Sequence, residues 1–181
     1  NVYRNESESR VDRVSGPSRY DTAVELSKAG WETSDVVVIA RGDDYADALA
    51  GVPLAKKHDA PLLLTGTKSL PAVTKAEIAR LGAKTVYVLG GTGAVSKEVE
   101  AALKAEGVTV KRISGPTRYA TAAAIAFEVA PQGADNGVVV VNGTNFPDAL
   151  SVASYAAQNG MPILLTNGKA LPQHTQSALV G

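Results

Sequence analysis

The chain has no cysteine in its 181 residues. That excludes disulfides, thiolate metal sites and a cysteine nucleophile. It also lacks charge of one sign: 18 Lys and Arg stand against 18 Asp and Glu. Without a net field, nothing draws the whole molecule to nucleic acid or to an anionic membrane, although local basic clusters remain available. No apolar run approaches the ~20 residues that a membrane-spanning helix needs. The first ten residues, Asn-Val-Tyr-Arg-Asn-Glu-Ser-Glu-Ser-Arg, hold no hydrophobic segment of the kind found in a signal peptide. The chain starts at Asn, which suggests a trimmed exported precursor. What is present is ordinary globular composition, 45% hydrophobic and 20% charged, enough to bury a core.

A repeat organises that composition. Residues 13–23, Arg-Val-Ser-Gly-Pro-Ser-Arg-Tyr-Asp-Thr-Ala, recur at 112–122 as Arg-Ile-Ser-Gly-Pro-Thr-Arg-Tyr-Ala-Thr-Ala, with eight of eleven positions identical at an offset of 99. Such a match implies internal duplication. Further on, 41–50 matches 142–151 and 61–65 matches 162–166 at an offset of 101, so two residues enter the second copy around 131–136. Loops tolerate such insertions. The first copy continues through a strand at 85–89, the turn at 90–93, a helix over 96–105 and a strand over 108–113, whereas Gly181 already aligns with Arg80. The expected organisation is a polar leader or linker at 1–10, a first repeat at 11–110 and a second, incomplete repeat at 111–181.

Local patterns predict the elements. Val11–Val14 alternates like a half-buried strand, and Ser18 caps a helix with Ala23, Leu26 and Ala29 at helical spacing, ending at Gly30. Val36–Ala40 is a β-branched run suited to a strand buried on both faces of a parallel sheet. A helix follows it and ends near His58, and Leu70-Pro71 and Leu171-Pro172 each open another. The alternation gives an α/β protein of βαβ units with about seven mainly parallel strands, in two lobes or one extended sheet.

Several stretches carry candidate chemistry. Gly91–Ser96 follows a strand and opens a helix like a dinucleotide-binding loop, but its third glycine is Ser96 and Lys111 and Arg112 stand where an acid is expected. A structural turn with Ser96 as N-cap is preferred. Asp43, Asp44 and Asp47 could hold Mg²⁺, yet the second copy keeps only Asp148, and helix capping by Asp47 and Asp148 explains the shared acid better. Arg13, Arg19, Arg112 and Arg118 can present guanidinium forks to carboxylate or phosphate, or tie strand ends into the lobe while Tyr20 and Tyr119 pack between layers. The architectural role is preferred for a motif that contains Gly-Pro and a helix start. His58 and His174 do not align, and both are expected on the surface.

The repeated Arg-x-Ser-Gly-x-x-Arg-Tyr-x-Thr-Ala, Asp-Ala-Leu at 47–49 and 148–150, Pro-x-Leu-Leu-Thr at 61–65 and 162–166, and Val-Leu-Gly-Gly-Thr-Gly-Ala-Val-Ser at 88–96 occur in one order. In these the sequence resembles the cell-wall-binding repeat type 2 family of Gram-positive bacteria. The resemblance implies three-layer, Toprim-like or Rossmann-like α/β lobes. It also implies tandem copies, typically three, beside enzymatic or adhesive domains of secreted and surface-layer proteins, and non-covalent attachment to anionic cell-wall polysaccharide.

The expected function is therefore a non-catalytic, extracellular anchoring module with weak sites that gain avidity together. The candidate ligand-binding residues are Arg13, Arg19, Arg112, Arg118, Arg41, Asp47 and Asp148. No catalytic residue, metal, cofactor, nucleic acid or membrane insertion is expected. The alternatives are a nucleotide- or Mg²⁺-dependent enzyme and a structural surface-layer tile. An open sheet edge after the incomplete repeat implies a homo-oligomer or a further repeat of the same chain.

Overall fold

The β-branched run does form a strand with both faces covered: Val37, Val38, Ile39 and Ala40 are each fully buried. The computed structural model describes residues 13–131, 133–134 and 136–180. Strands β1 (Val36–Arg41), β2 (Leu62–Thr65), β3 (Thr85–Leu89) and β4 (Thr109–Ile113) make one parallel sheet in the order β2-β1-β3-β4. Successive side chains of a strand point to opposite faces. Val37 and Ile39 accordingly meet α1 (Arg19–Gly30), α3 (Ala72–Leu81) and α4 (Lys97–Ala105) through Val24, Ile78 and Val99, while Val38 and Ala40 share a cluster with α2 (Ala46–Lys57). β4 carries the chain across the expected repeat boundary at 110/111 and pairs with β3.

The second half consists of α5 (Arg118–Val129), β5 (Val139–Asn142), α6 (Phe146–Gln158), β6 (Ile163–Thr166) and α7 (Gln173–Val180). β5 and β6 form a separate two-stranded parallel sheet. Its register repeats the first: Val38 pairs with Leu62 and Arg41 with Thr65, as Val139 pairs with Ile163 and Asn142 with Thr166, each partner shifted by 101. Leu164 faces α5 and α7, whereas Ile163 and Leu165 belong to the cluster that includes Ala153 and Ala156 of α6. α2 packs against both α5 and α6 and joins the halves. Among the described residues, no helix is long and apolar enough to cross a membrane.

Three expectations change. Of the strand at Val11–Val14, Val11 lies outside the described residues, as does the leader at 1–10, and Arg13 and Val14 are not in a strand, so six strands rather than seven are described. On α1 the buried residues are Val24 and Ser27, and Leu26 is 54% exposed, because the sheet lies against the face one residue round from the most apolar one. His58 is half-buried rather than superficial. Its ring stacks on Tyr87 with centroids 5.0 Å apart, and its Nε2 is enclosed without a hydrogen-bond partner. Burial pushes its pKa down, Lys57 and Lys111 add to this, and Glu128 opposes it. His174 is exposed as expected.

Candidate functional site

Several positions of the repeated motif make matching contacts in the two halves. The Gly16 N–H donates to Thr22 Oγ1 at 3.0 Å, and the Gly115 N–H to Thr121 Oγ1 at 3.0 Å. A Cβ on Gly16 would fall 2.4 Å from Asp21 Cβ, and one on Gly115 would fall 2.4 Å from Ala120 Cβ, so glycine is required by close approach to the helix start. Ser18 and Thr117 accept from the N–H groups of Asp21 and Ala120 and cap α1 and α5. Arg19 Nη1 donates to the Gly42 carbonyl, and Arg118 Nη1 to the Gly143 carbonyl at 2.8 Å. The motif therefore straps the first helix of each half to the loop after that half's first strand.

The other candidates fall in different surroundings. Arg112 donates to Gly90 O at 2.7 Å and, through Nε and Nη2, to Glu100 Oε2 at 3.0 and 2.8 Å, which fixes the end of β3 to α4. Arg13 is exposed. The side chain of Asp148 lies outside the described residues. The expected capping role of Asp47 is corrected: Tyr45 stands at the N-cap of α2, and Asp44 Oδ1 accepts the Ala46 N–H at 3.1 Å. Asp44 reaches that N–H because it precedes the helix, whereas Asp47 already lies inside the first turn.

Arg41, Asp44, Asp47 and Arg118 meet in one pocket of about 270 Å³. It opens at the C-terminal ends of β1 and β3, where the chain leaves one strand for α2 on one face and the other for α4 on the opposite face. Ligands of open α/β sheets bind at such a switch point. Asp44 Oδ2 receives Arg41 Nη2 from its own half and Arg118 Nη2 from the second half at 3.1 Å. Gly91, Gly93 and Thr117 complete the rim. Burial works against ionisation of Asp44, but the Ala46 N–H, the Arg41 hydrogen bond and the Arg118 charge outweigh it and hold its pKa below 3.8. Asp47 lies against Gly90, and burial, helped by the Asp44 charge and opposed by Arg41 and Arg118, pushes its carboxyl up. The pocket thus presents two guanidinium groups around one firmly ionised carboxylate, an arrangement that can receive an anionic or hydroxyl-rich group.

The glycine loop is a turn. The Ala94 and Val95 N–H groups donate back to Gly91 O, and the Ser96 N–H donates to Thr67 O. Those amides are bonded to protein carbonyls instead of being free for a phosphate. Ser96 caps α4 as expected, accepting from the Val99 N–H at 3.4 Å. The acidic cluster is likewise engaged with arginine, since Asp43 and Asp44 both pair with Arg41. Sequence reasoning missed Asp44 as the bridge and missed that the pocket draws on both repeats. The recurrence of Thr22 as Thr121 was a visible signal of the strap that was also overlooked.

Comparison with known proteins gives these contacts their context. The chain is 40% identical over 173 residues to N-acetylmuramoyl-L-alanine amidase LytC of Bacillus subtilis, covering 96% of this chain and 34% of that protein. It is 41% identical over 164 residues to the amidase enhancer of the same organism, covering 91% of this chain and 23% of that one. The chain therefore spans about a third or less of these relatives. Among solved structures, Cwp6 from Clostridium difficile superposes with a TM-score of 0.83 at 34% identity, over 95% of this chain and 29% of that one. The profile of cell wall binding domain 2 (CWB2) matches residues 13–100 and 112–181, so the strapped repeats are two copies of that domain and the chain belongs to the CWB2 family.

Proposed function

We propose that the chain is a non-catalytic anchoring module that holds a secreted or surface-layer protein on the cell wall by multivalent, non-covalent binding to an anionic wall polymer. The observation that carries this reading is the pair Arg41 and Arg118, one from each repeat, converging on Asp44 with 27% and 35% of their side chains exposed. Each guanidinium has five N–H donors in a fork that matches carboxylate and phosphate, and the bonds to protein groups use only some of them. Asp43 and Asp44 balance the two arginine charges, so the remaining guanidinium N–H donors act on an anionic oxygen by directed hydrogen bonds rather than by net charge. Because the pocket takes residues from two neighbouring repeats, an array gains a site with each junction, and avidity follows. Repeat limits at 11–110 and 111–181 remain the working division of the chain.

Sedimentation with purified sacculi tests the reading. The protein is expected to pellet, and stripping the anionic polymers should release it. Equal pelleting before and after stripping would sink the polymer claim. Arg41→Gln and Arg118→Gln should each weaken pelleting by about tenfold, the scale of one or two lost charge-assisted bonds. A double variant that folds by circular dichroism and pellets unchanged would assign both arginines to architecture alone.

The open flank of the second half supports a further partner. Leu49 and Leu54 are 7% and 0% exposed, but their counterparts Leu150 and Tyr155 on α6 are 52% and 58% exposed. The first sheet continues past β1 into β3 and β4, whereas the described second sheet stops at β5. We propose that a further repeat, from the same polypeptide or from a second copy, covers this face. Light scattering should show mass rising with concentration; a monodisperse monomer at working concentration would count against the second copy.

A further inference from the structure

α2 carries a second opening at its other end. A groove of about 440 Å³ lies between the halves where α2 ends, lined by Trp31, Val52, Lys56 and Asp59 from the first half and by Ser154 and Gln158 from α6. We infer that this groove is a saccharide subsite that seats a pyranose ring of the wall polymer. The inference rests on the wall-binding reading above and specifies where the sugar part of the polymer is held.

The chemistry of the lining selects such a ring. A pyranose has an apolar C–H face and a rim of hydroxyls that both donate and accept. The indole of Trp31 is half-buried and offers flat apolar area. Its Nε1–H donates to Asp59 O at 2.8 Å, and its own carbonyl accepts from Arg80 Nη2 at 2.9 Å, so the residue is held in place before any ligand arrives. Around it stand an acceptor (Asp59), a donor (Lys56) and two groups that do both (Ser154, Gln158). The side chains of Lys56, Asp59 and Gln158 make no hydrogen bond or ion pair among the described residues. One charge of each sign suits a neutral ring better than an anion, whose place is the Arg41–Arg118 pocket. The 12 residues of α2 set the two sites about 18 Å apart, a span that one polymer chain can cross.

The backbone supplies an independent observation. Asp59 has φ +46°, the one non-glycine residue in the left-handed region among those described. Its counterpart in the second half is Gly160 with φ +65°, the residue type that a helix terminus of this geometry favours. The first half keeps a carboxylate where glycine would fit with less strain, and it keeps it beside Trp31. The groove is not duplicated: Ala130 and Ala157 stand where the first half has Trp31 and Lys56.

Trp31 is the sole tryptophan, so its emission reports on the groove. The whole chain is titrated with N-acetylglucosamine, with glucose, with polysaccharide solubilised from the sacculi used for pelleting, and with inorganic phosphate. A saturable emission change is expected with saccharide and none with phosphate. Asp59→Gly relieves the positive φ and should keep or raise Tm while weakening the saccharide response by about tenfold, and Gln158→Ala should weaken it similarly. If wild type pellets with sacculi but its emission is unmoved by their polysaccharide, and both variants pellet as wild type does, the subsite is overturned and wall binding stands. If wild type fails to pellet, the wall-binding reading falls, and a saturable response to the simple sugars still decides the groove.

Discussion

Gly115→Ala should lower folding stability by about 3 kcal/mol, the upper end of overpacking effects. The added methyl would fall 2.4 Å from Ala120 Cβ, 2.7 Å from Ala120 C and 2.9 Å from Thr121 N. Two of those atoms are backbone of the first turn of α5, which cannot rotate aside. The same shift would break the Gly115 N–H bond to Thr121 and move Arg118, so wall binding should decline with stability. Gly30→Ala is the control: nothing lies within 4 Å of its added Cβ, so it should cost nothing and gain up to about 1 kcal/mol. Urea unfolding of both variants is the measurement. Equal midpoints would remove the steric account of the motif's glycine.

Arg80→Ala should cost about 3 kcal/mol by a different route. Glu77 is 2% exposed, and its carboxylate accepts Ser27 Oγ–H at 2.6 Å and two Arg80 bonds at 2.7 Å. Truncating the arginine leaves a buried charge with only a hydroxyl for company, which costs about 3–5 kcal/mol in buried pairs; the low end applies because the Arg80 side chain is 36% exposed. Adding Glu77→Gln should recover part of the loss.

The acid limb separates this from simple loss of packing. In the wild type, burial raises the Glu77 pKa, but the Arg80 and Ser27 hydrogen bonds outweigh it and hold it below 4.5. A depressed carboxylate contributes stability that is present above 4.5 and lost as pH falls through the folded value. Without Arg80, only the Ser27 bond and the Lys28 charge are left to oppose burial, so the folded pKa moves up toward the unfolded one and this contribution shrinks. Thermal unfolding of the variant should thus lose most of this part of the acid dependence. His58 adds a separate loss in both proteins, because below its ordinary 6.5 the unfolded chain takes up a proton that the buried ring resists. Parallel pH profiles for wild type and variant would contradict the Glu77 assignment.

Both predictions concern contacts that were legible to different degrees. Gly115 could be marked from sequence, since it recurs with Gly16 in a motif too dense for chance. Glu77 could not: its partner Ser27 is 50 residues away, and the corresponding second-half positions, Ala126 and Ala178, pack with Leu164 in an apolar cluster. The same fold tolerates a buried ion pair in one copy and hydrocarbon in the other, as expected where the two solutions are close in free energy. Leu26 and Leu54 illustrate the same limit. Both are leucines in helices of the first half, yet one is 54% exposed and the other fully buried, because only the approach of the sheet and of α5 and α6 decides which side of a helix is covered.

By itself the sequence determined the duplication, the alternation of helices and parallel strands from α1 onward, the caps at Ser18 and Ser96, and the family. All of these depend on residues within a few positions of one another or on a repeated string. Tertiary structure alone decided that Arg41 and Arg118 share one carboxylate, that Trp31 and Gln158 line one groove, and that Leu150 stands open where Leu49 is covered. Those outcomes come from docking two halves across α2. Docking brings together side chains separated by some seventy to well over a hundred residues, and no period of 2 or 3.6 along the chain encodes it.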